Sequence, residues 1–571
     1  MMGAIIGMDF GTTNSLCAWM DGDRPALIHN RRGGRITPSV VAATAKGEIL
    51  VGESAKNQAL VNPENTVAGI KRQVGSGGLV SLGGRSWRPE ELAALILSSL
   101  RLDAESHLGT DIERAVVTVP ANFSDRQRRG IVEAGRLAGL EVLRVVNEPT
   151  AAAVAHAWAA SSSRPGDGEK SLVLVYDFGG GTFDVTLLEQ KGRACEVLAS
   201  RGDGRLGGAD IDRELYRRAA AAFREEYGLD VEADRFLAQQ LAEASELAKM
   251  ELSDREESAV GIPFAVAGGR VVHPLWTLTR GRFEELAGPY VERSLELTER
   301  VLADAGLGAG RVDRLVLSGG SSRMPLVRAL LAQRLGLKPQ GGVNPEEIVA
   351  LGAAVWSLVD DQPGRLRIRD VVSRSYGVEI DGGRFVPLIR KNIPVPAESR
   401  RVFTTVSDDQ EAVEIHVLQG ESPEAAENVS LGRFLLSGVR EAKRGEPRIE
   451  VSFSIDESDM LHVSAADLDT GALQELSIVD IESSHSESPD ELRASIRLLA
   501  GRLAALRSGL RLERGLESEI DETCARAAAA GAGADESEFR PLRTELEALV
   551  GELLARKAER RAIAPAAEAG R

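Results

Sequence analysis

Cysteine is scarce in this chain: there are three in 571 residues, Cys17, Cys195 and Cys524, far apart and without a CxxC pair. That scarcity argues against a disulfide framework or a zinc site and suits a reducing compartment. The seven histidines show no metal-ligand spacing either. Basic charge is in deficit, with a formal net charge of −17. A nucleic-acid binder needs basic surface to neutralise phosphates, so no nucleic-acid partner is expected. No apolar run reaches the roughly 18 residues a membrane helix needs, and no membrane partner is expected. The opening Met1–Asp9 lacks a basic n-region, and Asp9 interrupts its apolar stretch, so it does not read as a secretory signal. A cytoplasmic location is the expectation. A GxxxxGK(S/T) loop is missing too, which excludes the P-loop class.

What is present is long and segmented. A chain of 571 residues is too large for one core, and about two to four domains are expected. Its 43% hydrophobic and 27% charged content is ordinary for globular protein. Up to Trp356, short apolar runs alternate with longer Ala-rich amphipathic stretches, the rhythm of an α/β region. Between Asp360 and Ser375 the sequence turns polar around Pro363-Gly364 and reads as a linker. From Gly377 to about Ile481 the period becomes two. Val413, Ile415 and Val417 alternate with Glu414, His416 and Leu418; Ile449, Val451, Phe453 and Ile455 alternate with Glu450, Ser452 and Ser454. That pattern predicts a small antiparallel β-domain. After Ser488-Pro489, a reasonable N-cap and first helical turn, the chain becomes helical, broken at Ala530–Ala534.

An internal echo carries the chemistry. Ala4–Met8 leads into Asp9-Phe10-Gly11-Thr12-Thr13-Asn14-Ser15, and Leu172–Tyr176 leads into Asp177-Phe178-Gly179-Gly180-Gly181-Thr182-Phe183-Asp184. Each is a buried-looking strand, an aspartate and a glycine-threonine turn. Glycines let a backbone approach phosphate and turn its N–H groups inward. Threonine hydroxyls add hydrogen bonds, and the aspartates can hold Mg²⁺ directly or through its waters. Two such hairpins facing each other would clamp phosphates between two lobes. A third glycine turn, Ser318-Gly319-Gly320-Ser321-Ser322-Arg323, follows another apolar run. Glu246, Lys249 and Ser253, at i, i+3 and i+7, offer a polar helix face for a ribose and adenine, with Arg323 stacking on the base.

These residues resemble one family. Asp9–Ser15, Asn147-Glu148-Pro149-Thr150, Asp177–Asp184, Leu206-Gly207-Gly208-Ala209-Asp210, Gly319–Pro325 and His416–Glu421 occur in the order seen in DnaK-type chaperones of the heat shock protein 70 family, over roughly residues 1–482. The resemblance implies an actin-like (ribonuclease H-like) α/β ATPase domain of two lobes over 1–362, a linker over 363–376, an antiparallel β-sandwich over 377–482 that binds peptide, and a short helical lid over 488–571. It implies ATP or ADP with Mg²⁺, and K⁺ as an additional cation. Catalytic roles fall to Lys71, Glu148, Asp177 and Thr182, and metal binding to Asp9, Asp177 and Asp184. Nucleotide contacts fall to Gly11, Thr12, Thr13, Asn14, Gly179, Gly180, Gly181, Thr182, Gly207, Glu246, Lys249, Ser253, Gly319, Gly320, Ser321 and Arg323. Val378, Ile380, Phe403, Val413 and Ile415 match positions lining the peptide channel. Pro120, Arg128 and Asp370 match a relay between nucleotide and linker, and Arg144, Asn147 and Asp370 match positions that receive a J-domain partner. Clients would be unfolded or extended polypeptides, with a J-domain co-chaperone and a nucleotide-exchange factor.

Two departures stand out. The linker reads Leu366-Arg367-Ile368-Arg369-Asp370 where relatives carry an aliphatic run, so Leu366 and Ile368 are expected to dock on one side with the arginines outward. Asp381 falls where bacterial relatives have an apolar arch residue, and a carboxylate is costly in an apolar arch. An open arch or a preference for basic-flanked peptides is the expectation. The tail lacks the acidic terminal tetrapeptide of eukaryotic cytosolic relatives. The sequence thus reads as a divergent, short-lid bacterial member. The alternatives are a small-molecule kinase, which shares paired phosphate hairpins, and a filament-forming actin relative; the β-domain and helical tail argue against both.

Overall fold

The computed structural model describes residues 4–163, 170–339, 343–361, 366–471, 473–477 and 514–529, with isolated positions between 496 and 553. Residues 363–365 of the expected linker over 363–376, the junction at 482–488, the cap at Ser488-Pro489 and the break at 530–534 lie outside the described residues. The chain divides into two compact units. The first runs from Met1 to Ser373 and includes the short segments Asn392–Val395 and Glu457–Met460.

Two sheets in the first unit follow one plan. The strand Ile5–Asp9 pairs antiparallel with Asn14–Asp21 and parallel with Arg114–Val119. Ser171–Phe178 repeats this, pairing antiparallel with Phe183–Lys191 and parallel with Arg314–Ser318. These inner strands are almost continuously apolar because both faces of each sheet are covered. Each sheet has its own core and forms one lobe: Met8, Phe10, Ile70, Leu97 and Val117 belong to the first, Tyr176, Phe183, Leu295 and Leu317 to the second. Asp9 and Asp177 both stand where a strand gives way to its turn.

The helices Glu148–Ser163 and Ile348–Asp361 pack together between the lobes. Their approach is possible because Gly352 has no side chain: a Cβ there would lie 1.9 Å from the Ala151 carbonyl oxygen. Helix Asp125–Leu137 starts at Ser124, whose side chain accepts from Gln127 N–H while Gln127 Oε1 accepts from Ser124 N–H, a reciprocal cap.

The second sheet gains a fifth strand at its edge, where Arg367–Arg369 lies parallel to Ala194–Asp203. Leu366 is buried beside Val371 and Trp158, Ile368 is half-buried, and Arg367 and Arg369 face solvent. Period-two alternation over Leu366–Arg369 therefore yields a strand with one apolar side.

The second unit holds two antiparallel four-stranded sheets. One orders Arg384–Ile389, Tyr376–Ile380, Ala412–Gln419 and Val429–Ser437; the other orders Ala397–Phe403, Ile449–Ile455, Leu461–Asp467 and Leu473–Ser477. Ile449, Val451, Phe453 and Ile455 are all buried, as their alternation requires. Leu418 departs from the simple reading of its strand. It shares a face with Glu414 and His416 yet is fully buried, because Phe385 and Ala425 cover it. Helix Arg514–Ala529 contributes Ile520 and Ala527 to a separate apolar cluster with Leu546 and Leu553. Among the described residues, no helix is long and apolar enough to cross a membrane.

Candidate nucleotide site

The two glycine turns meet face to face. A Cβ on Gly180 would lie 2.3 Å from Thr13 Oγ1, and one on Gly181 would lie 2.5 Å from Thr12 Oγ1. Only glycine permits that approach. The first turn is braced by Ser39, whose hydroxyl donates to the Gly11 carbonyl at 2.7 Å and whose N–H donates to the Thr13 carbonyl at 2.8 Å. Asn14 leaves this turn paired with Pro38. The second turn rests on the start of helix Gly208–Tyr227, where Gly207 packs so close that a Cβ would sit 2.6 Å from the Gly180 oxygen. The third turn also abuts the second: a Cβ on Gly319 would lie 2.4 Å from the Phe178 oxygen.

Beneath the turns lies an acidic enclosure. Lys71, at the short helix Ile70–Arg72, forms a buried ion pair with Glu148, and its ammonium lies over the rings of Phe10 and Phe123. Asp9 accepts a hydrogen bond from Thr118 at 3.1 Å. Burial and the nearby Glu148 charge push Asp9 up to about 7, against the pull of Lys71 and Thr118. Asp177 is pushed well up by burial, then by Glu148 and Asp9, and Asp184 by burial, then by Glu148 and Asp177. The aspartates thus share one enclosure with Glu148, and the Lys71 ammonium pulls against all three.

Both Asp184 oxygens and Asn122 Nδ2 are buried, and the Asn122 backbone N–H, with Lys71, is what pulls Asp184 back toward its ordinary value. Four crowded, buried carboxylates form a donor set suited to a hard cation. Among the described residues, no three acidic, histidine or cysteine side chains converge as a direct metal cage. The fit is therefore to hydrated Mg²⁺, which keeps several waters.

The remaining sequence candidates are distributed around this centre. Glu246 pairs with Lys56 at 3.5 Å and Lys249 with Asp212 at 2.6 Å, both from helix Arg235–Glu251. Ser253 falls beyond the end of that helix, in the turn that follows. Ser321 donates its hydroxyl to the Gly179 carbonyl at 2.9 Å, and Gly320 begins the same short helical turn. Arg323 is held by Asn344 at 2.8 Å and Glu346 at 3.0 Å.

A polar chain leads away from Glu148. Its neighbour Asn147 accepts from Arg128 Nη2 at 2.6 Å and donates to Asp370 at 3.1 Å; Thr150 donates to the same Asp370 oxygen at 2.9 Å. Pro120 ends the strand carrying Thr118, and its carbonyl accepts from Phe123 N–H. Arg144 pairs with Glu457 at 2.5 Å. Sequence reasoning missed Asp459, which pairs with Arg128 at 3.2 Å. Its setting, Asp456-Glu457-Ser458-Asp459, reads as a solvated turn; nothing local marks the last carboxylate as buried.

In the second unit, Val378 and Ile380 share a sheet with Val413 and Ile415, and alternation places all four on one face. Phe403 lies on the other sheet, paired with Ile449. Val378 and Ile415 are buried and the other three half-buried. An open concavity of ≈ 530 Å³ lies elsewhere, on the outer face of the second sheet, floored by Ser452 and Ser464 and rimmed by Arg400 and Glu450.

Two sheets built on one plan, each offering a glycine turn to the other, make a two-lobed domain of the actin-like kind, here in one chain with paired antiparallel sheets. The family model described as Hsp70 protein matches residues 5–78 and 79–560, and the chain belongs to that family. Its members bind ATP or ADP with Mg²⁺, hydrolyse ATP, and act as chaperones on client polypeptides together with co-chaperones.

Proposed function

We propose that this chain is a DnaK-type, short-lid bacterial chaperone that hydrolyses ATP between its two glycine turns and thereby governs its grip on extended polypeptide. The proposed organisation is an ATPase domain over 1–362, a linker over 363–376, a peptide-binding domain over 377–482 and a lid over 488–571, working in the cytoplasm. The observation that carries the reading is the meeting of Gly180 and Gly181 with Thr13 and Thr12 above Asp9, Asp177 and Asp184.

In this reading Asp9, Asp177 and Asp184 hold hydrated Mg²⁺, and a bound Mg²⁺ neutralises phosphate charge, with K⁺ as a further cation. Lys71, steered by Glu148, orients the attacking water and stabilises charge at the terminal phosphate; Thr182 contributes its hydroxyl. No covalent protein intermediate is needed, because positioning and electrostatics supply the rate. Glu246, Lys249, Ser253 and Arg323 serve the nucleoside, after Arg323 exchanges its present partners. Pro120, Arg128 and Asp370 carry the state of the nucleotide to the linker, and Val378, Ile380, Phe403, Val413 and Ile415 hold an aliphatic side chain of the client. Burying one such leucine contributes roughly 1.5–3 kcal/mol, so binding is modest and tolerant of sequence. A J-domain protein and a nucleotide-exchange factor complete the cycle.

The test is ATP turnover of the full chain with and without an extended, Leu-centred peptide. Stimulation by peptide alone is expected. Stimulation by a sugar, or by self-assembly, would instead select the kinase or the filament former.

A further inference from the structure

The second glycine turn has three consecutive glycine carbonyls, and each has a partner. The Gly179 oxygen accepts from Gly208 N–H at 3.0 Å and from the Ser321 hydroxyl at 2.9 Å. The Gly180 oxygen accepts from Ala209 N–H at 2.8 Å. These donors belong to the same lobe as the turn. The Gly181 oxygen differs. Its donors are Nε and Nη2 of Arg72, at 3.1 and 2.5 Å, and Arg72 lies on the short helix Ile70–Arg72 of the other lobe.

Arg72 is itself oriented. Its Nη2 also donates to Asp210 Oδ2 at 3.0 Å, and that oxygen accepts from Gly207 N–H at 2.9 Å. In a planar trans peptide the next N–H points opposite to the carbonyl. Holding the three carbonyls therefore fixes the opposite direction of the N–H groups of Gly180, Gly181 and Thr182, the groups that make an anion-binding nest. Two of those peptides are fixed from within their own lobe, and the third depends on a residue from across the cleft.

We propose that Arg72 is a positioning residue that completes the phosphate-binding turn only while the two lobes are closed. When the lobes part, the guanidinium leaves, the Gly181–Thr182 peptide loses this cross-lobe tether, and the Thr182 N–H no longer holds its direction. Lys71 precedes Arg72 on the same short helix, so the ammonium paired with Glu148 and the fork that orders the turn arrive together. Closure then becomes a condition for hydrolysis without Arg72 touching the nucleotide. Guanidinium geometry matters because two N–H groups reach one oxygen, which an ammonium cannot reproduce.

The inference rests on the nucleotide reading given above, and the experiment separates the two. Binding of a fluorescent ADP analogue with Mg²⁺ to the wild-type full chain is measured first; failure there removes both ideas. Arg72→Ala is then expected to slow single-turnover ATP hydrolysis by about tenfold to a hundredfold and to speed release of the analogue by about tenfold. Arg72→Lys should recover part of both losses, and Asp210→Asn should fall between it and wild type. Glu64→Gln, which removes the exposed cross-cleft pair Glu64–Arg235, should leave both rates within about twofold of wild type. Unchanged hydrolysis and release in both Arg72 variants overturn the proposal. So does slowed hydrolysis with unchanged release, because a closure-dependent role must move both. Should Arg72→Ala fail to fold, Arg72→Lys and Asp210→Asn decide by the same two rates.

Discussion

Arg128 and Asp459 form an ion pair at 3.2 Å with side chains only 1% and 5% exposed. Burial outweighs the partner: Asp459 is pushed up to about 7 although Arg128 pulls it down and Ser373 donates to it, with Asp370 adding repulsion. This pair therefore ionises fully only above neutrality, where the enclosure charges most for it.

The sign of the pH dependence follows. A carboxyl whose folded value lies above its unfolded 3.8 holds more protons in the folded state, so its stabilising share is present at low pH and lost as pH rises through about 7. Relative to wild type, Asp459→Asn should gain stability between pH 5 and pH 8. Urea unfolding at both pH values checks this, and a gap that stays constant with pH refutes it.

Removing the cation is different in kind. Arg128→Ala leaves Asn147 without its donor and Asp459 without its counter-charge inside the protein. A loss of about 3–5 kcal/mol is expected, together with weaker coupling between peptide and ATP turnover. Equilibrium unfolding and a peptide-stimulation assay read the two effects separately.

Binding of the Mg²⁺–nucleotide should release protons near neutral pH. Asp9 carries a value raised to about 7 mainly by burial, and a cation must displace any proton it holds. Affinity should rise from pH 6 to pH 8 and then level off. Calorimetry in two buffers of different ionisation enthalpy measures the proton count, and Asp9→Asn should reduce it.

Lys71→Met should lower single-turnover hydrolysis by about a hundredfold to a thousandfold while nucleotide still binds. The ammonium is enclosed and paired with Glu148, so its loss removes the charge that pulls against the buried carboxylates. Equal losses in binding and hydrolysis would assign Lys71 to affinity instead.

The edge strand gives a contrast between burial and charge. Leu366→Asp should expose Arg367–Arg369 and the facing edge of Ala194–Asp203 to hydrogen exchange, because Leu366 is buried in the core between the lobes. Arg369→Ala should change exchange little, since its pair with Glu196 at 3.4 Å is solvent-exposed and worth about 0–1 kcal/mol.

Much of this architecture was legible in the chain itself. The two glycine turns announce themselves because the same apolar run, Asp-Phe-Gly and threonine recur twice, where one copy alone would more often be an ordinary hairpin, and Ile449–Ile455 alternates as a half-covered strand must. Arg367 and Arg369 alternate with Leu366 and Ile368, and the edge strand keeps that division. Leu418 was less legible, because period two says which residues share a face but not that Phe385 and Ala425 cover part of it.

Strands, turns and the side-chain chemistry clustered at the two glycine turns follow from neighbours a few residues apart, and so could be read along the chain. That Arg72 reaches Gly181, that Asp459 lies against Arg128, and that Asp9 and Asp177 share an enclosure is a matter of the folded arrangement. Those pairings join residues more than a hundred positions apart. Their existence depends on where separate strands and helices end in space, and no local pattern of side chains encodes that.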